Sequence, residues 1–151
     1  MKIGIIADTH DNLININEAV KIFNSHKVNF VIHCGDFIAP FALNPFEMLK
    51  CDWVGVFGNN DGEKKGLLEK SEGRIKEPPY FLELGFRKIV VAHEFKDCQA
   101  DIIAFGHTHE PKISKNSKML INPGEAGGWV NGQPSLVILD LDNMQPELIN
   151  F

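Results

Sequence analysis

With 151 residues and 44% apolar content, the chain has the size of one globular domain, Met1 to Phe151, large enough to bury a real core. A formal net charge of −5 with no basic run excludes a general polyanion binder, because nothing would release counterions from a nucleic-acid backbone. Cys34, Cys51 and Cys98 are an odd set without paired spacing, which suits reduced thiols in a cytoplasmic protein, and no stretch reaches membrane-spanning length.

The run Ile3 to Ala7 is too short for a signal h-region and stops at Asp8, so it reads as a first strand. After the loop to Asn12, Ile16, Ala19, Val20 and Phe23 form a helical stripe ending near Ser25. Phe30 to His33 is the next strand. Pro40 suits a first helical turn and opens a short helix through Phe41, Phe46 and Leu49. Trp53 to Phe57 is a third strand, and strands separated by helices predict a parallel sheet.

In the second half, Phe81 to Leu84 and Lys88 to Ala92 flank Gly85-Phe86-Arg87 and predict an antiparallel hairpin. Ile102 to Phe105, Lys112 to Ser114, Lys118 to Ile121, Ser135 to Leu141 and Glu147 to Ile149 are also of strand type, and helix signals nearly vanish. The expectation is an α/β domain of two packed sheets, the first mostly parallel and the second mixed. Only Glu94 to Ala100 separate His93 from Asp101, whereas a parallel crossover usually takes a dozen residues or more. Either the flanking strands are not parallel neighbours, or the crossover is a single turn that leaves part of the sheet uncovered.

Five apolar runs end in residues that bind divalent metal: Asp8-Thr9-His10, Gly35-Asp36, Gly58-Asn59-Asn60-Asp61, His93 and Gly106-His107-Thr108-His109. Asp8, Asp36, Asn59, His10, His93, His107 and His109 supply about what two five- or six-coordinate ions need beside water. Taken singly, Asp-x-His is commonly a solvated loop, and Gly-Asp and Gly-Asn-Asn-Asp are ordinary turn chemistry. The placement of every cluster at a strand end is what carries the metal reading, since ligands of open α/β folds gather there. Asp36 has two oxygens and can bridge two ions. Mixed oxygen and imidazole ligation suits manganese, iron, nickel, zinc, cobalt or magnesium better than copper(I) or an iron–sulfur cluster. Two ions about 3.5–4 Å apart clamp an in-line displacement at phosphorus and supply hydroxide near neutral pH. His33 and Cys34 read as buried packing behind the ligands and His26 as a surface histidine; Trp129 reads by default as core packing, with the cover of a pocket edge as the alternative.

The ordered set Ile6-Ala7-Asp8-Thr9-His10-Asp11, His33-Cys34-Gly35-Asp36-Phe37, Gly58-Asn59-Asn60-Asp61-Gly62-Glu63, His93, Gly106-His107-Thr108-His109 and Ile121-Asn122-Pro123-Gly124-Glu125 resembles the calcineurin-like metallophosphoesterases. It is most similar to their small single-domain prokaryotic phosphodiesterase branch, over Met1 to about Leu141. The resemblance implies a four-layer α/β/β/α sandwich of two mixed sheets, with the crossover shortened at 94–100. It also implies two divalent ions, manganese first among them: Asp8, His10 and His109 would bind one, Asn59, His93 and His107 the other, and Asp36 both.

Three departures stand out. Many members carry a leaving-group histidine after the ligand asparagine, where this chain has Asn60, which can donate a hydrogen bond but no proton near neutral pH. Asn60, Asp61 and His10 are therefore the catalytic candidates, with Asp61 orienting Asn60 or, at a strongly raised pKa, giving a proton. Glu94 stands where glycine is usual after the strand-end histidine, and the helix usual before Gly-His-x-His is trimmed to Glu94–Ala100. An exposed apolar strip there would suit a second copy of the chain, in a homodimer or higher homo-oligomer. The activity implied is hydrolysis of small phosphate diesters by a hydroxide between two ions, with phosphomonoesters as the neighbouring class. The alternative is a non-catalytic metal-binding scaffold or protein-interaction subunit of the same fold, like the retromer scaffold subunit, whose branch has lost metal-site residues.

Overall fold

The computed structural model describes residues 1–151. In chain order the elements are β1 (Lys2–Ile6), α1 (Leu13–Ser25), β2 (Phe30–His33), a 3-10 helix (Pro40–Met48), β3 (Asp52–Val56), α2 (Lys64–Lys70), β4 (Ile75–Lys76), β5 (Tyr80–Leu84), β6 (Arg87–Val91), β7 (Ile102–Ala104), β8 (Lys112–Lys115), β9 (Met119–Asn122), β10 (Ser135–Asp140) and β11 (Gln145–Asn150). The first sheet has the order β11-β10-β1-β2-β3-β4 and the second β5-β6-β7-β9-β8. Strands β1 to β4 run parallel, with β10 antiparallel to β1 and β11 antiparallel to β10. In the second sheet β6, β7 and β9 are parallel and both edge strands antiparallel. Both sheets are mixed, as the family resemblance implies.

The central strands β1, β2, β6 and β7 are apolar on two faces because other layers cover them there, whereas the edge strands β5, β8 and β11 alternate or lie exposed. Between the sheets, Ile3, Ile5, Ile32 and Val54 meet Ile89, Ile102, Ala104 and Ile121 in the main core. On the outer face of the first sheet, α1 buries Ile16, Ala19, Val20 and Phe23, the stripe its spacing predicts. Asn12 caps this helix, its side-chain oxygen accepting the Asn15 N–H. Phe23 reaches β1 at Gly4, where an added Cβ would stand 2.4 Å from the ring, so the helix sits directly on the strand.

Two elements have no counterpart in the sequence reading, α2 and the two-residue β4. Leu67 and Ile75 bury them against Phe37 and Phe46. The segment opening at Pro40 is a 3-10 helix rather than an α-helix, because Pro45 inside it has no N–H for an i→i−4 bond.

Strands β6 and β7 are parallel neighbours, so the short crossover is real. Residues 94–100 form no helix; they lie as a strap on the outer face of the second sheet. Lys118 pins the strap through Asp97 (2.6 Å) and the Cys98 carbonyl (2.8 Å). Cys98 and Ala100 pack on Val90, Ile103 and Phe105, which are buried, so the strap replaces the helical fourth layer and closes most of the expected apolar strip. Phe81 and Phe95 remain more than half exposed beside it. No helix is long and apolar enough to cross a membrane.

Candidate metal centre

The carboxyl ends of β1, β2, β3, β6 and β7 meet at one edge of the sandwich, and hydrogen bonds between the loops beyond them fix their mutual positions. The N–H of Asp8 donates to Gly35 O (3.0 Å) and that of His10 to Asp36 O (3.1 Å). Across the two sheets, the His107 N–H donates to Asp8 Oδ2 (3.0 Å) and His93 Nδ1 contacts the Cys34 carbonyl (2.9 Å). Asp8, His10, Asp36, His107 and His109 all have positive φ, between 41° and 68°. Left-handed backbone at non-glycine residues is costly, and its concentration at one place marks a site whose surroundings hold it there. Gly58 is required by close approach: a Cβ there would lie 2.1 Å from Asp36 Oδ1.

Two donor groups share this edge. Ligand atoms of Asp8, His10 and His109 lie within 4.8 Å of one another, as do those of Asp8, Asp36 and His93. Asn59 Oδ1 stands 2.7 Å from His93 Nε2 and 3.0 Å from His107 Nδ1. Asp36 Oδ2 lies between the groups, 3.6 Å from His10 Nε2 and 3.5 Å from His93 Nε2. All seven sequence-selected ligand residues are therefore together.

The hydrogen bonding of this edge is incomplete in a way that a cation would complete. Asp8 Oδ1 and His10 Nε2, which face each other at 3.8 Å, are buried without a hydrogen-bond partner; His109 turns Nε2 to Asp8 Oδ1 (3.7 Å) and its unpartnered Nδ1 to Glu125. His93 faces the Cys34 carbonyl with Nδ1 and the Asn59 oxygen with Nε2, two acceptors for a neutral ring that carries one N–H. A divalent ion among Asp36, Asn59, His93 and His107 would take the Nε2 lone pair and the Asn59 oxygen, leaving the His93 Nδ1–H to the Cys34 carbonyl. The residues fit such ions. Asp8, fully buried, is pushed up to about 8 by desolvation first and then by the Asp36 carboxylate, with the His107 N–H opposing. Burial likewise lowers the pKa of His10, keeping its imidazole neutral and able to ligate.

Behind the candidate ligands lie residues that set loop geometry. Asp61 Oδ2 accepts the N–H groups of Gly58 (2.7 Å) and Asp36 (3.1 Å), and Oδ1 that of Ile38 (2.8 Å). Asn60 turns toward Asp36, its amide Nδ2 donating to Oδ2 (2.7 Å) and its main-chain N–H to Oδ1 (2.9 Å). Fully buried His33 accepts the Gly35 N–H at Nδ1 (3.1 Å), which leaves its Nε2–H for Thr9 Oγ1 (3.0 Å). Burial holds its pKa well below the usual histidine value. The packing expected of His33 is thus also a hydrogen-bonded tie between two ligand loops.

Two buried residues in this support carry roles that sequence reasoning did not assign. Asn122 donates to Gly106 O and Thr108 Oγ1, both at 2.9 Å, and so shapes the loop bearing His107 and His109. Glu125 has Oε1 3.6 Å from His109 Nδ1 and accepts the N–H groups of Trp129 and Val130. The only available signal was the run Asn122-Pro123-Gly124-Glu125 after a buried strand. Trp129 corrects the default expectation of core packing in favour of the edge position: it is 64% exposed, with its indole N–H on the His10 carbonyl (3.0 Å). On the opposite side, Asn59 and His93 open onto a cleft of about 290 Å³ walled by Phe57, Lys64, Pro79 and Lys96.

Comparison with known proteins agrees with this geometry. The family model of the calcineurin-like phosphoesterase superfamily domain matches residues 1–144. Phosphodiesterase MJ0936 of Methanocaldococcus jannaschii is 36% identical, the alignment covering 96% of each chain. The solved structure of an archaeal phosphodiesterase superposes with a TM-score of 0.92 at 34% identity, covering 100% of both chains. A variant Vps29 from Entamoeba histolytica superposes with a TM-score of 0.71 over 100% of this chain and 99% of its own, and at 18% identity it shares the fold alone. A sandwich that gathers these donors at its strand ends and matches the family model over nearly its whole length belongs to the calcineurin-like phosphoesterase superfamily.

Proposed function

We propose that this protein is a divalent-metal-dependent phosphodiesterase acting on small phosphate diesters at a dinuclear centre. Asp8, His10 and His109 would hold one ion, Asn59, His93 and His107 the other, and Asp36 would reach both. The observation that carries the reading is the position of Asp36 Oδ2, which faces a histidine from each donor group at 3.6 and 3.5 Å. Two divalent ions, when bound, supply Lewis acidity toward phosphoryl oxygens and make hydroxide available near neutral pH.

The chain's own residues have separate tasks. Asp8 and Asp36 give negative charge that would offset part of the ions' charge, and His10 remains neutral as a ligand because of its burial. Asn60 presents an amide N–H at the Asp36 carboxylate, where it can stabilise charge developing on a phosphoryl or leaving oxygen without giving up a proton. Asp61, its oxygens occupied by three backbone N–H groups, takes the positioning task and not the acid one. A small ester suits a chain of net charge −5 with no basic track for nucleic acid. The phosphodiesterase name of the 36%-identical relative supports the choice of diesters over monoesters.

The scaffold reading draws on the Vps29 likeness, which is one of fold. Retention of all seven donors, with unpartnered buried atoms among them, favours an enzyme. The test is turnover of an aryl phosphodiester with added manganese. We expect turnover that a chelator removes and that Asp36→Asn abolishes in a folded protein; manganese binding without turnover of any ester would return the scaffold reading.

A further inference from the structure

Trp129 is one of two tryptophans in the chain, and its ring is 64% exposed. Single exposed apolar residues are common and need no explanation, but this ring is fixed. Its indole N–H donates to the main-chain oxygen of His10, which places it at the rim of the Asp8, His10 and His109 group. The segment that carries it is bound to the same group at several points. The Gly127 N–H donates to Asp8 O (2.9 Å), and the Asn131 amide donates to His109 O (2.8 Å). Glu125, 1% exposed, accepts the N–H groups of Trp129 (2.8 Å) and Val130 (3.0 Å). The amides of Asn12 and Asn15 converge on Gly127 O at 2.7 and 2.9 Å. Gly127 lies close against the ring, since a Cβ there would come 2.9 Å from Trp129 Cδ1.

We propose that Trp129 is a stacking platform for a planar aromatic group carried by the ester. This narrows the substrate class to aryl or nucleobase-bearing phosphate esters, and it rests on the metal-centre reading above. The phosphate would lie among the metal ligands, with the uncharged ring of the same molecule on the indole. Val130, 69% exposed beside it, extends the apolar surface. Because hydrogen bonds already hold the loop and the indole, little conformational freedom remains to be lost on binding. Stacking on an aromatic side chain tolerates different rings, since each has a π-face.

Binding is read first without turnover. In a Trp53→Phe background, emission reports Trp129, and the zinc-loaded protein is titrated with AMP, phenyl phosphate and inorganic phosphate. Saturable quenching by AMP, by phenyl phosphate or by both is expected, with none by inorganic phosphate; the stronger quencher tells base from aryl ring. Equal responses to all three, or none, would overturn the platform. Kinetics give the second arm. Trp129→Ala should raise KM for an aryl diester about tenfold, the equivalent of about 1.4 kcal/mol, and leave inhibition by inorganic phosphate unchanged. Trp129→Phe, which keeps a ring and loses the N–H, should retain most of the binding. If Trp129→Phe matches Trp129→Ala, the effect runs through the His10 main chain and the proposal fails. Likewise, a changed oligomeric state in Trp129→Ala would assign the ring to a subunit contact and overturn it. Quenching by AMP with no turnover of any ester would support the platform while defeating the hydrolase reading.

Discussion

The carboxylate of Asp61 accepts the main-chain N–H of Asp36 at 3.1 Å, so one strand-end loop holds the carboxylate-bearing residue of another in place. The same oxygen takes the Gly58 N–H, and the second takes that of Ile38. Burial raises the pKa of Asp61, and these N–H groups oppose the rise. An amide at this position would set its own N–H against backbone donors. Asp61→Asn should therefore cost about 1–3 kcal/mol of stability, as expected for a buried donor left unpaired. Urea denaturation of the metal-free protein measures this, and a shift in midpoint near zero would mean the three bonds are dispensable.

Asn60 bears on the leaving group. Without a proton donor at this position, the rate should depend steeply on leaving-group pKa, because general acid help is typically worth about 10²–10⁴-fold. Aryl diesters should then be turned over far faster than alkyl ones. Asn60→His should flatten the slope chiefly by raising the rates of poor leaving groups. A flat dependence in the unsubstituted protein would contradict the assignment.

Asp8 couples metal binding to pH. Its pKa is raised from 3.8 to about 8, so between those values the metal-free folded chain holds a proton that the unfolded chain has released. Stability of the metal-free protein should therefore fall as pH rises through that window, and the loss should be complete above it. An ion requires the carboxylate and displaces the proton. Calorimetry in buffers of different ionisation enthalpy should show at least about one more proton released per chain near pH 6.5 than near pH 9, the Asp8 proton together with any the ligand imidazoles carry. Equal release at the two pH values would contradict this.

Glu125 tests the support of one donor group. Glu125→Gln keeps the side-chain length but removes the charge facing His109 Nδ1 and one of the acceptors that hold Trp129 and Val130. Loss of an outer-shell partner typically costs about 10–100-fold in metal affinity. Titration should show a loss of that order for one ion of the pair and little for the other. Unchanged affinity for both would detach Glu125 from the centre.

The strand ends were legible because each ligand cluster directly follows an apolar run, and β1, β2, β3, β6 and β7 end where those runs end. The α1 stripe was legible for the same reason of period. Lys64–Lys70 was not, since seven residues with one buried leucine give too few turns for a pattern. The two-residue β4 is too short to have one. Glu125 and Asn122 act through backbone groups distant in sequence, and nothing local marks that a carboxylate will lie beside His109. The position of Trp129 depends on the fold of residues 125–131 against Asp8 and His10, so an apolar ring in a glycine-rich stretch read as core. The trimmed crossover was visible as a length, but its consequence, a strap pinned by Lys118, required the partner's position.

Seven donors on these loops should hold two divalent ions. Elemental analysis of protein purified without chelator and reconstituted with manganese counts them directly. Two ions per chain are expected, falling to about one in Asn59→Ala and in His10→Ala, with near-complete loss in Asp36→Ala. A chain that binds no ion, or binds the same number after all three substitutions, would contradict it.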